Sequence, residues 1–503
     1  MAALHQFIEQ GEPRASGQWP RAVVDELAWR QAGELLAQGR CTLVALWGEQ
    51  GVVHVALLDE PAGERAILTL ACAEQRYPAL GRLHAPAIRL ERALRDLTGL
   101  VPEGLPDARP WLDHGRWTVR HPLGERTAVA LGPPAAYVFL PAEGESLHEI
   151  PVGPVHAGII EPGHFRFTAS GETVVRLEER LGYVHKGVES LMAGQVVQRG
   201  AALASRACGD STVAYALAFA QAVESAQAVR PPPRAICLRA VMAELERLAN
   251  HFGDIGAICN DAAFPILHAH CALLRERVLR TAAQCFGHRL MMDRIVPGGV
   301  AVDLAGDGMR IIAELTARIR DDFPELVELY DNTASLQDRT IGTGILEPAL
   351  AARFGAGGYV GRACGRRFDA RRFCAYPPYD QLRFDVPVLE AGDVDARVWI
   401  RVREIEQSAA IIDEIMRGLP SGPLTSADPA VGPGEGAALV ESFRGDVFAW
   451  LRLGSDGRIE RCHLRDPSWF QWPLLEAVIE GNIVADFPLC NKSFNCSYSG
   501  HDL

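Results

Sequence analysis

The sequence predicts an α+β chain: a small N-terminal α+β domain followed by a long-helix bundle with a peripheral β element. Three observations predict it. Residues 1–136 alternate between short β-branched runs and stretches of helical periodicity. From about residue 200 onward, long segments carry apolar residues at i, i+3, i+4 and i+7. Short β-like runs broken by glycine turns flank those helices on both sides.

In the first region, 25–39 has helical spacing with Leu27, Leu35 and Leu36 on one side. Residues 41–59 read as two strands around the turn Gly48-Glu-Gln-Gly51, 66–74 as a third strand and 87–100 as a helix. The stretch 101–115 is loop, punctuated by proline and glycine. Residues 137–152 form the expected linker, where Pro141, Gly144 and Pro151 interrupt any period. The domain boundaries are therefore 1–136, 137–152 and 153–503. Beyond the linker come two β-like runs carrying His156 and His164, a turn at Gly171, and an Ala-rich helix opening near Cys208. Long helices are predicted at 239–256, 268–291, 308–332 and 395–416. A hairpin turning at Gly454–Gly457 precedes a last long helical stretch.

Composition narrows the function classes. With 63 acidic against 50 basic residues the chain carries −13, and it has no Lys/Arg-rich run, so nucleic acid is not an expected partner. No apolar run reaches the roughly 18 residues of a membrane span, and the start lacks a signal-peptide pattern, so a cytoplasmic location is expected. None of the twelve cysteines falls in a CxxC spacing, which argues against a ferredoxin-like cluster or structural zinc. Most are read as small core residues. The absence of GxGxxG after a strand leaves nicotinamide binding unsupported. Asp210-Ser211 has no nucleophile elbow around it and is read as a helix cap. The basic run Arg362, Arg366, Arg367 is read as a solvated face.

The segments GPVH (153–156), EPGHFRF (161–167), GYVHKGVE (182–189) and RACG (206–209) resemble the large subunit of energy-converting, membrane-bound nickel–iron hydrogenases, including formate hydrogenlyase, and the homologous quinone-site subunit of respiratory complex I. PGGVAVDL (297–304), LQDRTIGTGIL (336–346), VGRACG (360–365) and 402–424 are similar to further segments of that family in the same order. ERALRDLTGL (91–100) with EGLPDARPW (103–111) resembles the accessory subunit that formate hydrogenlyase relatives carry fused ahead of the large one.

The resemblance implies an oxidoreductase subunit that forms an acceptor pocket, for quinone among other acceptors, beside the iron–sulfur cluster of a small-subunit partner. It also implies antiporter-like membrane partners, a place on the inner face of the cell membrane held through them, and coupling of electron transfer to ion translocation. His156 and His164 match hairpin histidines that face a quinone headgroup. Glu189 matches a glutamate placed for proton transfer. Ser205 stands where a quinone-binding tyrosine is usual, and His185 lies by the iron–sulfur partner.

A nickel–iron centre in this family is held by two CxxC pairs, because residues three apart on a helix offer two soft thiolates to one metal locus. Here the four positions are Cys208, Ser211, Ser497 and Gly500. One thiol, two hydroxyls and a bare backbone do not make that ligand set, so no nickel–iron centre is expected. His185, Ser205, Cys208 and Ser211 are then the expected surroundings of whatever acceptor binds. Two alternatives remain at this point: a true nickel–iron hydrogenase with atypical ligands, and a catalytically silent scaffold subunit.

Overall fold

The computed structural model describes residues 3–14, 17–130, 132–133, 136–154, 160–426 and 432–503. The first sheet has the strand order β1 (Glu12–Arg14), β2 (Arg21–Val24), β5 (Glu64–Ala71), β4 (Val52–Asp59), β3 (Thr42–Glu49), with only β2 and β5 parallel. Val53, Val55, Leu57 and Leu68 are fully buried, as continuous β-branched and Leu runs demand when both faces are covered. Helix α1 (Glu26–Ala37) starts where Asp25 accepts the Ala28 N–H at 2.8 Å. It differs from the sequence reading in its buried side: Leu27 is 65% exposed, while Trp29 and Ala32 are buried. The bulk of Trp29, whose Nε1 donates to the Pro78 carbonyl at 3.0 Å, sets the rotation of the helix. Helix α2 (Ala87–Thr98) follows and ends on Gly99 at φ +81°, a left-handed cap.

A second, three-stranded antiparallel sheet consists of β6 (Leu147–Val152), β7 (His164–Ser170) and β8 (Thr173–Arg180), with Gly171 at φ +60° in the predicted turn. The end of the stretch read as linker is therefore an edge strand: Leu147–Val152 pairs along its whole length with β7, and Pro151 is tolerated there as an edge residue.

Helices α3 (Val197–Ala204), α4 (Thr212–Gln227), α5 (Pro233–Asp261), α6 (Pro265–Phe286), α7 (Gly308–Asp331) and α8 (Val394–Arg417) form the bundle. Twelve of the sixteen residues of α4 are buried, and its alanines let a strand approach closely. That strand is β9 (Gly434–Glu441): a Cβ on Gly436 would lie 2.2 Å from the Ala222 carbonyl oxygen, so the Gly-Glu-Gly run is a steric requirement. β9, β10 (Asp446–Leu453) and β11 (Ile459–Arg465) make the third sheet, one strand more than the predicted hairpin, and α9 (Ser468–Ile479) follows.

The first and third sheets are fastened by arginines. Arg452 forks onto Glu49 at 2.6 and 2.5 Å, Arg465 donates to the Val44 carbonyl at 2.6 Å, and Arg461 to that of Gly48 at 3.2 Å. Trp47 stacks between His54 and His463, with ring centroids 5.1 and 5.0 Å away. The expected solvated basic face is corrected at Arg362, which is fully buried among Glu404, Glu441 and Asp369, and at Arg366, which pairs with Glu60; Arg367 alone of the three is exposed. A guanidinium enters a core only where carboxylates wait for it, and their positions are set by distant parts of the chain.

Candidate functional site

The four positions that the family resemblance singles out converge. Cys208 closes the turn before α4, and its Sγ lies 3.0 Å from Ser497 Oγ and 2.7 Å from Asp210 Oδ1. Ser497 caps the short helix Tyr498–Asp502 by accepting the Gly500 N–H at 2.9 Å. Arg444, from the turn between β9 and β10, joins the group. Its guanidinium donates to Asp210 at 2.8 Å and to Ser211 Oγ at 3.2 Å, and approaches Cys208 Sγ to 3.9 Å. Its Nε is anchored on the Asn495 carbonyl at 2.5 Å. Beneath Gly500, Asp466 accepts the Tyr215 hydroxyl at 2.8 Å and the Ser468 N–H at 2.9 Å.

The electrostatics follow from this geometry. Burial, then the neighbouring Asp210, pushes the Cys208 thiol far above its ordinary range, so it is held as a thiol. Arg444 stays charged despite its burial because Asp210 faces it, and Asp210 is in turn held below the usual carboxylate value by Arg444 against the opposing effect of burial. Asp210 keeps 39% of its side chain exposed, so this polar group has an open side.

Those residues do not fit the nickel–iron group of the resembled family. The donors are one thiol and two hydroxyls, a cationic guanidinium stands among them, and a Cβ at Gly500 would lie 2.4 Å from Asp466 Oδ2. No fourth side chain can be seated there without displacing a buried carboxylate.

Helix α4 is not capped by Asp210 or Ser211, which is a correction to the capping expectation. Glu246 of α5 accepts the Val213 and Ala214 N–H groups at 2.7 and 3.1 Å instead, which leaves Asp210 for Arg444. Ser205 is buried at the end of α3; its Oγ donates to the Ala202 carbonyl at 2.9 Å and its own carbonyl accepts from Thr212 at 2.5 Å. That bond ties α3 to the opening of α4 and so sets where Cys208 lies. His156 lies outside the described residues. His164 begins β7, its Nδ1 2.9 Å from the Gly153 carbonyl and its ring beside Phe139, and burial lowers its pKa. The same hairpin touches the Cys208 group through Glu161, which accepts the Ser499 N–H at 2.8 Å, and through Gly163, which lies against the Tyr498 ring.

His185 and Glu189 belong to a second group. His185 contacts the Asp502 carbonyl at 2.7 Å and stacks on Trp117. Glu189 is buried; it binds Arg461 at 2.7 Å and His463 at 2.8 Å, and accepts the Leu464 N–H at 2.9 Å. Burial opposes its ionisation, but Arg461 and His463 prevail and bring it down to about 2. Both residues line a cavity of about 50 Å³ between the first sheet, α2 and the chain's last residues. Lys186 bridges the two groups: its backbone is beside the cavity and its Nζ donates to the Ala207 carbonyl at 3.1 Å, next to Cys208. Sequence reasoning gave no role to Arg444 or Asp466. Arg444 lies in the run ESFRGD (441–446), and its pairing with Asp210 spans more than 230 residues.

No helix among the described residues is long and apolar enough to cross a membrane. Residues 266–433 match the family model for the 49 kDa subunit of respiratory-chain NADH dehydrogenase. Formate hydrogenlyase subunit 5 of Escherichia coli is 30% identical over 95% of this chain and 86% of its own length. The carbon monoxide-induced hydrogenase of Rhodospirillum rubrum is 32% identical over 70% of this chain and 98% of its own. A chain of the membrane-bound sulfane sulfur reductase, an archaeal respiratory membrane complex, superposes with a TM-score of 0.68 at 27% identity, covering 71% of this chain and 99% of that one. The chain belongs to the family that unites the respiratory-chain 49 kDa subunit with these hydrogenase components, and is an oxidoreductase subunit of the complex-I-like and formate-hydrogenlyase-like kind.

Proposed function

We propose that this chain forms the electron-accepting pocket of a membrane-associated oxidoreductase. In it, a small acceptor, with quinone as the leading class, is reduced beside the iron–sulfur cluster of a small-subunit partner, and the event is coupled to ion translocation through antiporter-like membrane subunits. One observation carries the reading: the family's four thiolate positions meet in space, yet they present one protonated thiol and an Asp210–Arg444 pair. A charged donor facing a carboxylate on the partly exposed side of a buried polar group suits hydrogen-bonding and protonation of an organic acceptor better than it suits a soft metal. His164 on the adjoining hairpin and Glu189 behind Lys186 are the residues assigned to orient the acceptor and to move protons, with His185, Ser205 and Ser211 as supporting walls. Location on the inner face of the cell membrane follows from the same reading.

The test is metal analysis together with acceptor-dependent turnover of the assembled complex. The expected result is no nickel, and quinone reduction that falls at least tenfold in Arg444→Met and in Glu189→Gln. Stoichiometric nickel with hydrogen turnover would establish the hydrogenase alternative. Turnover of the complex unaffected by both substitutions and by His164→Ala would establish the scaffold alternative.

A further inference from the structure

Away from the Cys208 group, the helix bundle encloses a set of ionised side chains that no role above uses. Glu244, Arg247 and His251 come from α5, Glu404 from α8, and Glu441 from the end of β9. Arg362, Asp369 and Arg371 come from the connection between α7 and α8. All are buried. Arg371 links Asp369 (2.7 Å) to Glu244 (3.0 Å), and Glu244 also accepts from Ser408 at 2.6 Å and Tyr379 at 2.7 Å. Arg362 joins Glu404 at 2.8 Å to Glu441 at 2.9 Å, and His251 Nε2 lies 2.7 Å from Glu404. Of the buried charges around it, Arg401 pairs with Asp254 and Arg465 with Asp446, while Arg397, toward the start of α8, is held by the Ser493 hydroxyl and the Gly344 and Gly392 carbonyls.

The charges do not balance. Four carboxyls, Glu244, Asp369, Glu404 and Glu441, face three guanidiniums, Arg247, Arg362 and Arg371. An uncompensated charge in a dry interior costs several kcal/mol, so the cluster is at ease only with one further positive charge. His251 and Glu441 are the two sites that differ in what holds them. Glu244 and Glu404 each face two arginines, and Asp369 holds Arg371 by a two-pronged contact. Glu441 has one arginine contact, Arg362, and the Ala370 N–H at 2.9 Å, with Asp369, Arg371 and Asp446 nearby.

We infer that this cluster is a proton-binding site, that it holds one proton on the Glu441 carboxyl, and that its occupancy is linked to the charge of the Cys208 pocket. The linkage runs through a short turn. Arg247 of the cluster donates to the carbonyls of Glu441 and Ser442 at 3.1 and 2.8 Å, and Arg444, two residues on, holds Asp210. Burial, followed by the nearby Asp369, raises Glu441 to about 7, whereas burial lowers His251, which agrees with the proton residing on the carboxyl. Charge added to the pocket by a reduced acceptor would then be met by proton uptake at Glu441; this last step rests on the acceptor reading above.

Infrared spectroscopy of the assembled complex with isotopically labelled glutamate tests both parts. Burial also raises Glu91, Glu179 and Glu246, so the signal is read as the difference between the unsubstituted complex and a Glu441 variant, in which their bands cancel. That difference is expected to hold one labelled protonated-carboxyl band that titrates away near neutral pH, and the band is expected to persist in His251→Gln. A difference spectrum without a titrating band, in Glu441→Gln or in the milder Glu441→Asp, which trades the labelled band for an unlabelled one, overturns the assignment. Reduced-minus-oxidised spectra are expected to show the same band gaining intensity on reduction. A redox difference spectrum without it would overturn the linkage while leaving the proton site standing.

Discussion

The Cys208 group and the Glu189 group lie on either side of the same segment, residues 182–189, and treat charge in opposite ways. Around Glu189 both carboxylate oxygens are engaged, by Arg461, His463 and a backbone N–H, in a buried group beside the small cavity. Around Cys208 the carboxylate of Asp210 stays partly in solvent, and a single arginine serves the thiol, the hydroxyl and the acid together. A buried carboxylate with both oxygens engaged is held in its place, while an open one that shares its partner can exchange that partner for a ligand. The family-derived positions thus fall into a buried group assigned to proton movement and an open group assigned to the acceptor, a distinction that residue types alone do not make.

Substitutions can break that contrast. Glu189→Ala is expected to cost the most, about 3–5 kcal/mol in denaturant unfolding, because it strands a buried arginine. Arg444→Met should cost less, about 2–3 kcal/mol, since Asp210 retains water. Equal losses would erase the proposed difference between the two groups. Acid sharpens the comparison further. Burial lowers His54 to about 4, so between pH 6.5 and 4 the unfolded chain binds the proton that the folded chain refuses. Stability should fall as pH drops through that window, by roughly 2 kcal/mol at pH 5 from this residue, and His54→Gln should flatten the fall. Glu189, held to about 2, should stay ionised throughout it. The smallest effect belongs to Leu27→Glu, expected to change stability by less than about 0.5 kcal/mol because the residue is exposed.

Much of the architecture was readable because it is local. The turn at Gly48–Gly51, the turn at Gly171 and the four long helices follow from periodicity and backbone preference. Leu27 misled because helical spacing does not say which of two neighbouring stripes is buried when a tryptophan lies on one of them. The convergence of Cys208, Ser211 and Ser497 was legible only through family resemblance. Nothing in the sequence announced that Glu246 would cap α4 and leave Asp210 to an arginine from the far end of the chain. Buried ion pairs between remote segments leave no period to detect, which is also why Arg362 read as surface.

The arginines of the third sheet that clasp the first one reach main-chain oxygens at Val44 and Gly48 as well as the side chain of Glu49. Main-chain acceptors are the same whatever amino acid occupies the position, so this grip is largely indifferent to drift in the strand it holds. A single proteolytic nick between the first and second sheets would accordingly leave the two pieces associated, to be parted by denaturant rather than by dilution.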